Sequence, residues 1–284
     1  MQLSRADIDD YLLRTRATAI TRQMTVVPYN ANAKVKEQPV AIERGGKTVF
    51  GANVGILMLE TQFPRVVGDM GNALTWPFPV QYRVVRGATP HLVVRNDATQ
   101  LTDLFIVAAK DLVASGADGI TTNCGFLALI QGELAQAVGV PVATSSLMQV
   151  PWIQSMLPPG KRVGILTISK DTLTDKHLTA ANIPLDIPIG GTDAASEFAS
   201  GILNDRAELD FDQCHQDNLT AASQLMKQHT DIGAIVLECT NMVPYASAIR
   251  KLTGVPVYSI YSFVTWFQAG LMPQRFSMDL NDPI

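Results

Sequence analysis

The chain has 284 residues, 47% of them hydrophobic and 17% charged, which excludes intrinsic disorder because so much apolar surface can be buried. Its 22 Lys and Arg against 26 Asp and Glu leave a net charge of −4, so no basic field exists to attract nucleic acid. Three cysteines cannot build a disulfide framework, residues 1–10 are too polar for a secretory leader, and no run of roughly 18 apolar residues is available to cross a membrane, so a cytoplasmic α/β protein is expected.

Residues 1–50 read as an N-terminal arm. An amphipathic helix is expected over 6–19, with Ile8, Tyr11, Leu12 and Leu13 on one side, and a hairpin over 40–50 around Gly45-Gly46. Strands are then expected at 54–59 and 82–85. A helix over 97–115 follows, with Asp97 as its cap and Gly116 as its stop. Next come a strand at 119–122, a helix over 126–138, a strand at 140–142, and a helix over 145–156 that Pro151 kinks or restarts. The second half gives strands at 162–167, 233–237 and 255–258, and helices over 170–181, 206–228, 243–252 and 259–269. Such alternation predicts parallel sheets covered by helices on both faces.

The chain also repeats itself. Val54-Gly55-Ile56-Leu57 recurs as Val163-Gly164-Ile165-Leu166, and Gly139-Val140-Pro141-Val142 as Gly254-Val255-Pro256-Val257. Ile120 stands four residues before Cys124, and Ile235 four before Cys239. The intervals 124–139 and 239–254 are equal. Three ordered matches with cysteine in register predict two homologous α/β lobes, 51–155 and 156–284, with the last helix free to pack back on the first lobe.

Each of these cysteines follows an apolar strand and opens a helix, the edge at which open α/β sheets hold ligands. Free backbone N–H groups there favour a thiolate or a bound carboxylate, and depressed thiol pKa values are expected. Side chains suited to holding a carboxylate flank both, Thr121, Thr122 and Asn123 before Cys124 and Thr240 and Asn241 after Cys239, and Gly125 joins them as a substrate-binding candidate. Pseudo-two-fold symmetry would set the thiols on opposite faces of one small ligand, which suits proton exchange at carbon. Arg65, in the loop after the first strand, can grip a substrate carboxylate. Asp69 and Asn72 read as turn residues of that loop. Glu238, a charge at the end of an apolar strand, either orients a helix or accepts a proton. Trp76, Phe78 and Tyr82 either pack the lobe or wall the pocket. Cys214 and the four histidines have no counterpart in the repeat, and no ligand set has zinc spacing, so no metal is expected. No Gly-x-Gly-x-x-Gly follows a strand and no Walker lysine occurs, which argues against a nucleotide site.

Thr121-Thr-Asn-Cys-Gly-Phe126 and Leu237-Glu-Cys-Thr-Asn-Met-Val-Pro244 resemble the two cysteine motifs of the aspartate/glutamate/hydantoin racemase superfamily, over roughly residues 51–270. The resemblance implies a two-lobed fold, cofactor-independent two-thiol chemistry on a small carboxylic acid, Cys124 and Cys239 as the acid/base pair, and a homodimer or homotetramer. The Gly-rich turn usual after the first strand of its amino-acid racemases is replaced here by Glu60-Thr-Gln-Phe-Pro-Arg-Val-Val-Gly-Asp-Met-Gly-Asn72. That loop, continuing into Leu74-Thr-Trp-Pro-Phe-Pro79, resembles a branch containing dimethylsulfoniopropionate lyases, which implies β-elimination with cysteine as base. Three functions follow as expectations: racemisation, elimination, or non-catalytic binding of a small acid between the lobes.

Overall fold

Strand β1 (Val54–Leu59) is apolar at every position and buried along its whole length, as a parallel strand covered on both faces requires. In the computed structural model, which describes residues 45–96 and 98–274, it is central to a sheet completed by β2 (Val80–Val85), β3 (Gly119–Thr122) and β4 (Val142–Ala143). The order is β2-β1-β3-β4, and every pair is parallel. A second parallel sheet holds β5 (Arg162–Thr167), β6 (Ile189–Gly191), β7 (Ile232–Leu237) and β8 (Val257–Tyr258) in the matching order β6-β5-β7-β8.

The repeated sequences occupy equivalent places in the two ladders. Gly55 pairs with Ile120 and Gly164 with Ile235, while Ile120 pairs with Val142 and Ile235 with Val257. Both glycines permit close helix packing. A Cβ at Gly55 would stand 3.0 Å from Leu112 Cδ1, and one at Gly164 3.4 Å from Leu225 Cδ2. Those leucines belong to α1 (Thr102–Ser115) and, in the second half, to the long helix α6 (Phe211–Gln228).

Between these lie α2 (Gln131–Val138), α3 (Val150–Met156), α4 (Asp175–Ala180) and α5 (Glu197–Leu203); α7 (Ala246–Thr253) and α8 (Ile260–Leu271) follow. Helices α2 and α7 both stop at a left-handed glycine, Gly139 and Gly254. One continuous apolar core joins the sheets. A second cluster sets Ile260, Phe263 and Val264 of α8 against Val54, Ile56 and Met58 of β1, so the last helix packs on the first sheet. None of the helices among the described residues is long and apolar enough to cross a membrane.

Several boundaries differ from expectation. The strands expected at 140–142 and 255–258 shorten to β4 and β8, because Pro141 and Pro256 lack an N–H; each carbonyl instead accepts a bond from Ile120 or Ile235. The helix expected over 170–181 begins only at Asp175, where Thr174 and His177 form reciprocal caps. The one expected over 206–228 begins at Phe211, where Asp210 accepts from the Gln213 N–H. Strand β6 and helix α5 were not anticipated: β6 has three residues, two of them glycine, and shows no apolar run. Pro151 falls in the first turn of α3 and restarts the helix after a 3-10 segment. Residues 45–50 form no strand. The helix over 6–19, the first half of the 40–50 hairpin and the Asp97 cap lie outside the described residues.

Candidate active site

At the carboxyl edges of β3 and β7 the chain turns from strand into helix through two related triplets, Asn123-Cys124-Gly125 and Glu238-Cys239-Thr240. The turns are anchored alike. The Asn123 N–H donates to Leu57 O at 3.0 Å and the Glu238 N–H to Leu166 O at 2.8 Å, each on the neighbouring central strand. Cys124 and Cys239 then cap the 3-10 segments Gly125–Ile130 and Thr240–Tyr245, which lead into α2 and α7.

The triplets also meet each other. Thr240 Oγ1 donates to the Asn123 carbonyl at 2.5 Å, and Ser146 Oγ, after β4, donates to the Leu237 carbonyl at 2.6 Å. Gly125 lies against Glu238 so closely that a Cβ there would stand 2.5 Å from the Glu238 carbonyl oxygen and 2.8 Å from its Cδ. No side chain larger than hydrogen fits at position 125. Both free thiols face one cavity between the sheets, with Asn123, Gly125, Glu238, Thr240 and Asn241. The cavity volume is about 20 Å³, room for a water molecule.

The loop after β1 forms one wall of it. Arg65 lines the cavity, its guanidinium 4.3 Å over the Phe63 ring. Its Nη1 donates to Asp69 Oδ1 at 2.6 Å and its Nη2 to Thr61 Oγ1 at 2.9 Å. Asp69 Oδ2 accepts from Asn241 Nδ2 at 2.6 Å, and Asn241 Oδ1 accepts from the Cys239 thiol at 3.6 Å. A polar chain therefore runs from Arg65 through Asp69 and Asn241 to Cys239. The backbone of Gln62 is held by Asp205 of the second half at 2.6 Å. Asp69 does more than the turn role expected of it, since it also spans to the second lobe. Nothing local in the sequence marks that contact, because its partner is 172 positions away.

Electrostatics depart from the sequence expectation. Burial pushes the Cys124 thiol up to about 12, the Glu238 charge adds to this, and the backbone N–H groups of Phe126 and Leu127 and the Arg65 charge oppose it. Cys239 is raised well above its ordinary value, by burial first and Glu238 second. Free N–H groups at the helix start do act in the expected direction, but desolvation outweighs them. The Glu238 carboxyl is itself raised to about 7 by burial, against the bond donated by Thr167.

Of the remaining candidates, Thr122 does not line the cavity. Its hydroxyl donates to the Thr144 carbonyl at 2.7 Å and is buried at the end of β3. Trp76 and Tyr82 pack: Trp76 stacks on Tyr261, and Tyr82 Oη donates to Met70 O. None of the four histidines lines the cavity, and Cys214 is buried in α6 outside it. No group of three His, Cys, Asp or Glu side chains among the described residues could hold a metal.

Two four-stranded parallel sheets that carry their motif cysteines into a shared cleft define the racemase-like two-lobed α/β fold. A mutant of arylmalonate decarboxylase, in a sulfate-associated form, superposes with a TM-score of 0.53 at 14% identity, over 77% of this chain and 92% of that one. A glutamate racemase isoform from Bacillus anthracis gives 0.53 at 17% identity, over 77% and 82%. At the level of sequence the chain is similar to a dimethylsulfoniopropionate lyase from Durusdinium sp. clade D: 28% identical over 243 residues, 81% of this chain and 78% of that protein. No protein-family model matches.

Proposed function

We propose that the chain is a cofactor-independent thiol acid–base enzyme that removes the proton next to the carboxylate of a small acid, with β-elimination of the dimethylsulfoniopropionate-lyase type as the outcome. The observation that carries this reading is the meeting of Cys124 and Cys239, from equivalent strand ends, in one cavity. The similarity over 81% of the chain to a lyase favours elimination over inversion. Cys124 is the better base, because Arg65 and two backbone N–H groups favour its thiolate. In the reaction the Cys124 sulfur takes the α-proton and the new carbanion pair forms the C=C bond. As that bond forms, the C–S bond breaks with its electron pair on sulfur, releasing dimethyl sulfide and acrylate. Arg65, with Asn123, Thr240 and Asn241, holds the carboxylate, and Asp69 fixes the guanidinium.

The pseudo-symmetry itself favours a second reading. Thiols on opposite faces of one carbon can remove a proton and return another, which is racemisation. Proton NMR in D₂O separates the two. The panel is dimethylsulfoniopropionate, both enantiomers of aspartate and glutamate, and a 5-substituted hydantoin, with Cys124→Ser and Cys239→Ser as controls. Acrylate and dimethyl sulfide establish elimination; α-proton exchange with inversion establishes racemisation. Turnover that survives both serine variants, or binding of panel members without turnover, overturns the thiol chemistry and leaves a binding protein.

A further inference from the structure

The two triplets share backbone geometry but differ in the residue before cysteine, and the difference is chemical. Asn123 is neutral and its Oδ1 accepts from the Leu59 N–H at 2.8 Å. Glu238 is fully buried and only one of its oxygens is satisfied: Oε2 accepts from Thr167 Oγ1 at 2.7 Å, while Oε1 has no hydrogen-bond partner among the described residues. A buried carboxylate with an unpaired oxygen is costly, and apolar or amide replacements would ordinarily be preferred. The surrounding structure nonetheless makes room for it, because Gly125 leaves open the space that a Cβ would take from the carboxyl group.

The elements packed against Glu238 bring few ionisable groups to it. The turn after β3 carries Cys124, the turn after β7 carries Cys239, and the loop after β1 contributes the Arg65–Asp69 pair. Strand β5 offers the Thr167 hydroxyl, and Ser146 donates to the Glu238 main-chain oxygen at 3.3 Å. Its charge acts on both thiols and adds to burial in favouring their protonated form. A thiol near 12 is ionised to about one part in 10⁵ at neutral pH, so a reaction that needs a thiolate needs a local acceptor for its proton.

We propose that Glu238 is that acceptor: its carboxylate takes the proton of a motif cysteine, so that thiolate and neutral carboxylic acid form together inside the cavity. The S–H bond breaks with its electron pair left on sulfur, and the proton bonds to Oε1. The cavity charge stays the same. The anion moves from carboxylate to sulfur, and the carboxylate's repulsion, which adds to burial in raising the thiol, disappears in the same step. Asn123 cannot do this, so the two lobes divide the work: one presents a thiol, and the other presents a thiol together with the proton store. The inference rests on the thiol acid–base reading, and its test is chosen so that either can fail alone.

The full-length wild type, Glu238→Gln and Thr167→Val are treated with iodoacetamide from about pH 5 to about pH 10, and alkylation of Cys124 and Cys239 is followed by peptide mass spectrometry. Access to the cavity scales every rate alike, so the shape of the profile is the readout. The wild-type profile should bend near 7, where the carboxyl titrates, and then change less than about twofold over the next pH unit and a half. In Glu238→Gln the bend is lost, and the rate climbs about tenfold per pH unit toward the value of an uncoupled thiol. Thr167→Val keeps the carboxyl but removes the bond that favours its ionised form, so the bend moves to higher pH. For whichever panel substrate turns over, the kcat/KM profile should bend at the same place and change in the same way. Identical profiles in wild type and Glu238→Gln, or no bend near 7 in the wild type, overturn the proposal. Absence of turnover on the whole panel would remove the assigned reaction, while the alkylation profiles still decide whether the proton is shared.

Discussion

The two halves of the chain build the same sheet in the same strand order, yet they furnish their cysteines differently. The first half places Asn123 before Cys124 and adds a long loop carrying Arg65 and Asp69 over the cleft. The second places Glu238 before Cys239 and a hydroxyl, Thr240, where the first has Gly125. Duplication explains the shared backbone, which packing keeps in register. At the cavity the halves also differ, each holding a different charge and donor set while the strand order of its sheet stays the same.

The largest effect should come from the cysteines, and it tests how unequal the halves are. Under elimination a single base removes the α-proton, so Cys124→Ser should lower kcat/KM about 10²- to 10⁴-fold and Cys239→Ser by much less. Equal losses of that size in both variants would favour racemisation. Steady-state kinetics on the panel substrate that turns over reads the difference directly.

Glu238 predicts a second contrast, in stability. Its carboxyl titrates near 7 in the fold against 4.5 ordinarily, so folding takes up a proton between those values. The stability associated with the protonated form is present in full below about pH 4.5 and is lost as pH rises through 7. The loss is about 3 kcal/mol for a shift of this size. Urea unfolding at about pH 4.5 and about pH 8 should show the fall in wild type and not in Glu238→Gln. An equal fall in both proteins would place the pH dependence elsewhere.

The paired glycines of the central strands come next. A methyl group at Gly55 would meet Ile120, Leu112 and the Cβ of Ala117 at 2.9–3.1 Å, and that Cβ cannot rotate away. At Gly164 the nearest obstruction, 2.7 Å away, is the flexible tip of Ile232. Both Gly→Ala variants should cost about 1–3 kcal/mol in chemical denaturation, Gly55→Ala the more of the two. The reverse order would mean that the second helix is packed more rigidly than the first.

Much of this architecture is legible in the sequence because it rests on local signals. Val54-Gly-Ile-Leu and its copy are buried strands in both halves, and the equal distances from each cysteine to the next Gly-Val-Pro-Val become identical ladder registers. Seven of the eight candidate site residues come from the two cysteine motifs, and six of these, Cys124, Cys239, Asn123, Gly125, Asn241 and Thr240, line the cavity with Arg65. Thr122 does not, because a residue one step inside the strand turns its side chain to the sheet interior. The direction of the thiol pKa is not legible locally, because burial depends on the whole fold, whereas a helix start can be read from a few residues. Strand β6, with Gly190 and Gly191 in its three residues, lacks any periodic signature. The Asp69–Asn241 bond depends on the loop reaching across to the other lobe, which no spacing encodes.

The smallest effect tests whether the repeat extends to backbone strain. Gly139 and Gly254 end α2 and α7 at φ values of 71° and 74°, with nothing within 4 Å of a Cβ built at either. Alanine at either site would therefore meet no clash and would pay only for a left-handed backbone, about 1 kcal/mol. Asparagine, which tolerates that conformation, should cost less. Because the sites sit in different lobes and share no partners, the two alanine costs should match each other and add in the double variant. Differential scanning or urea unfolding of the four proteins checks this. A markedly larger cost at one site would show that the αL turn there also supports its cysteine segment, and that the symmetry is broken in the backbone as well as at the cavity.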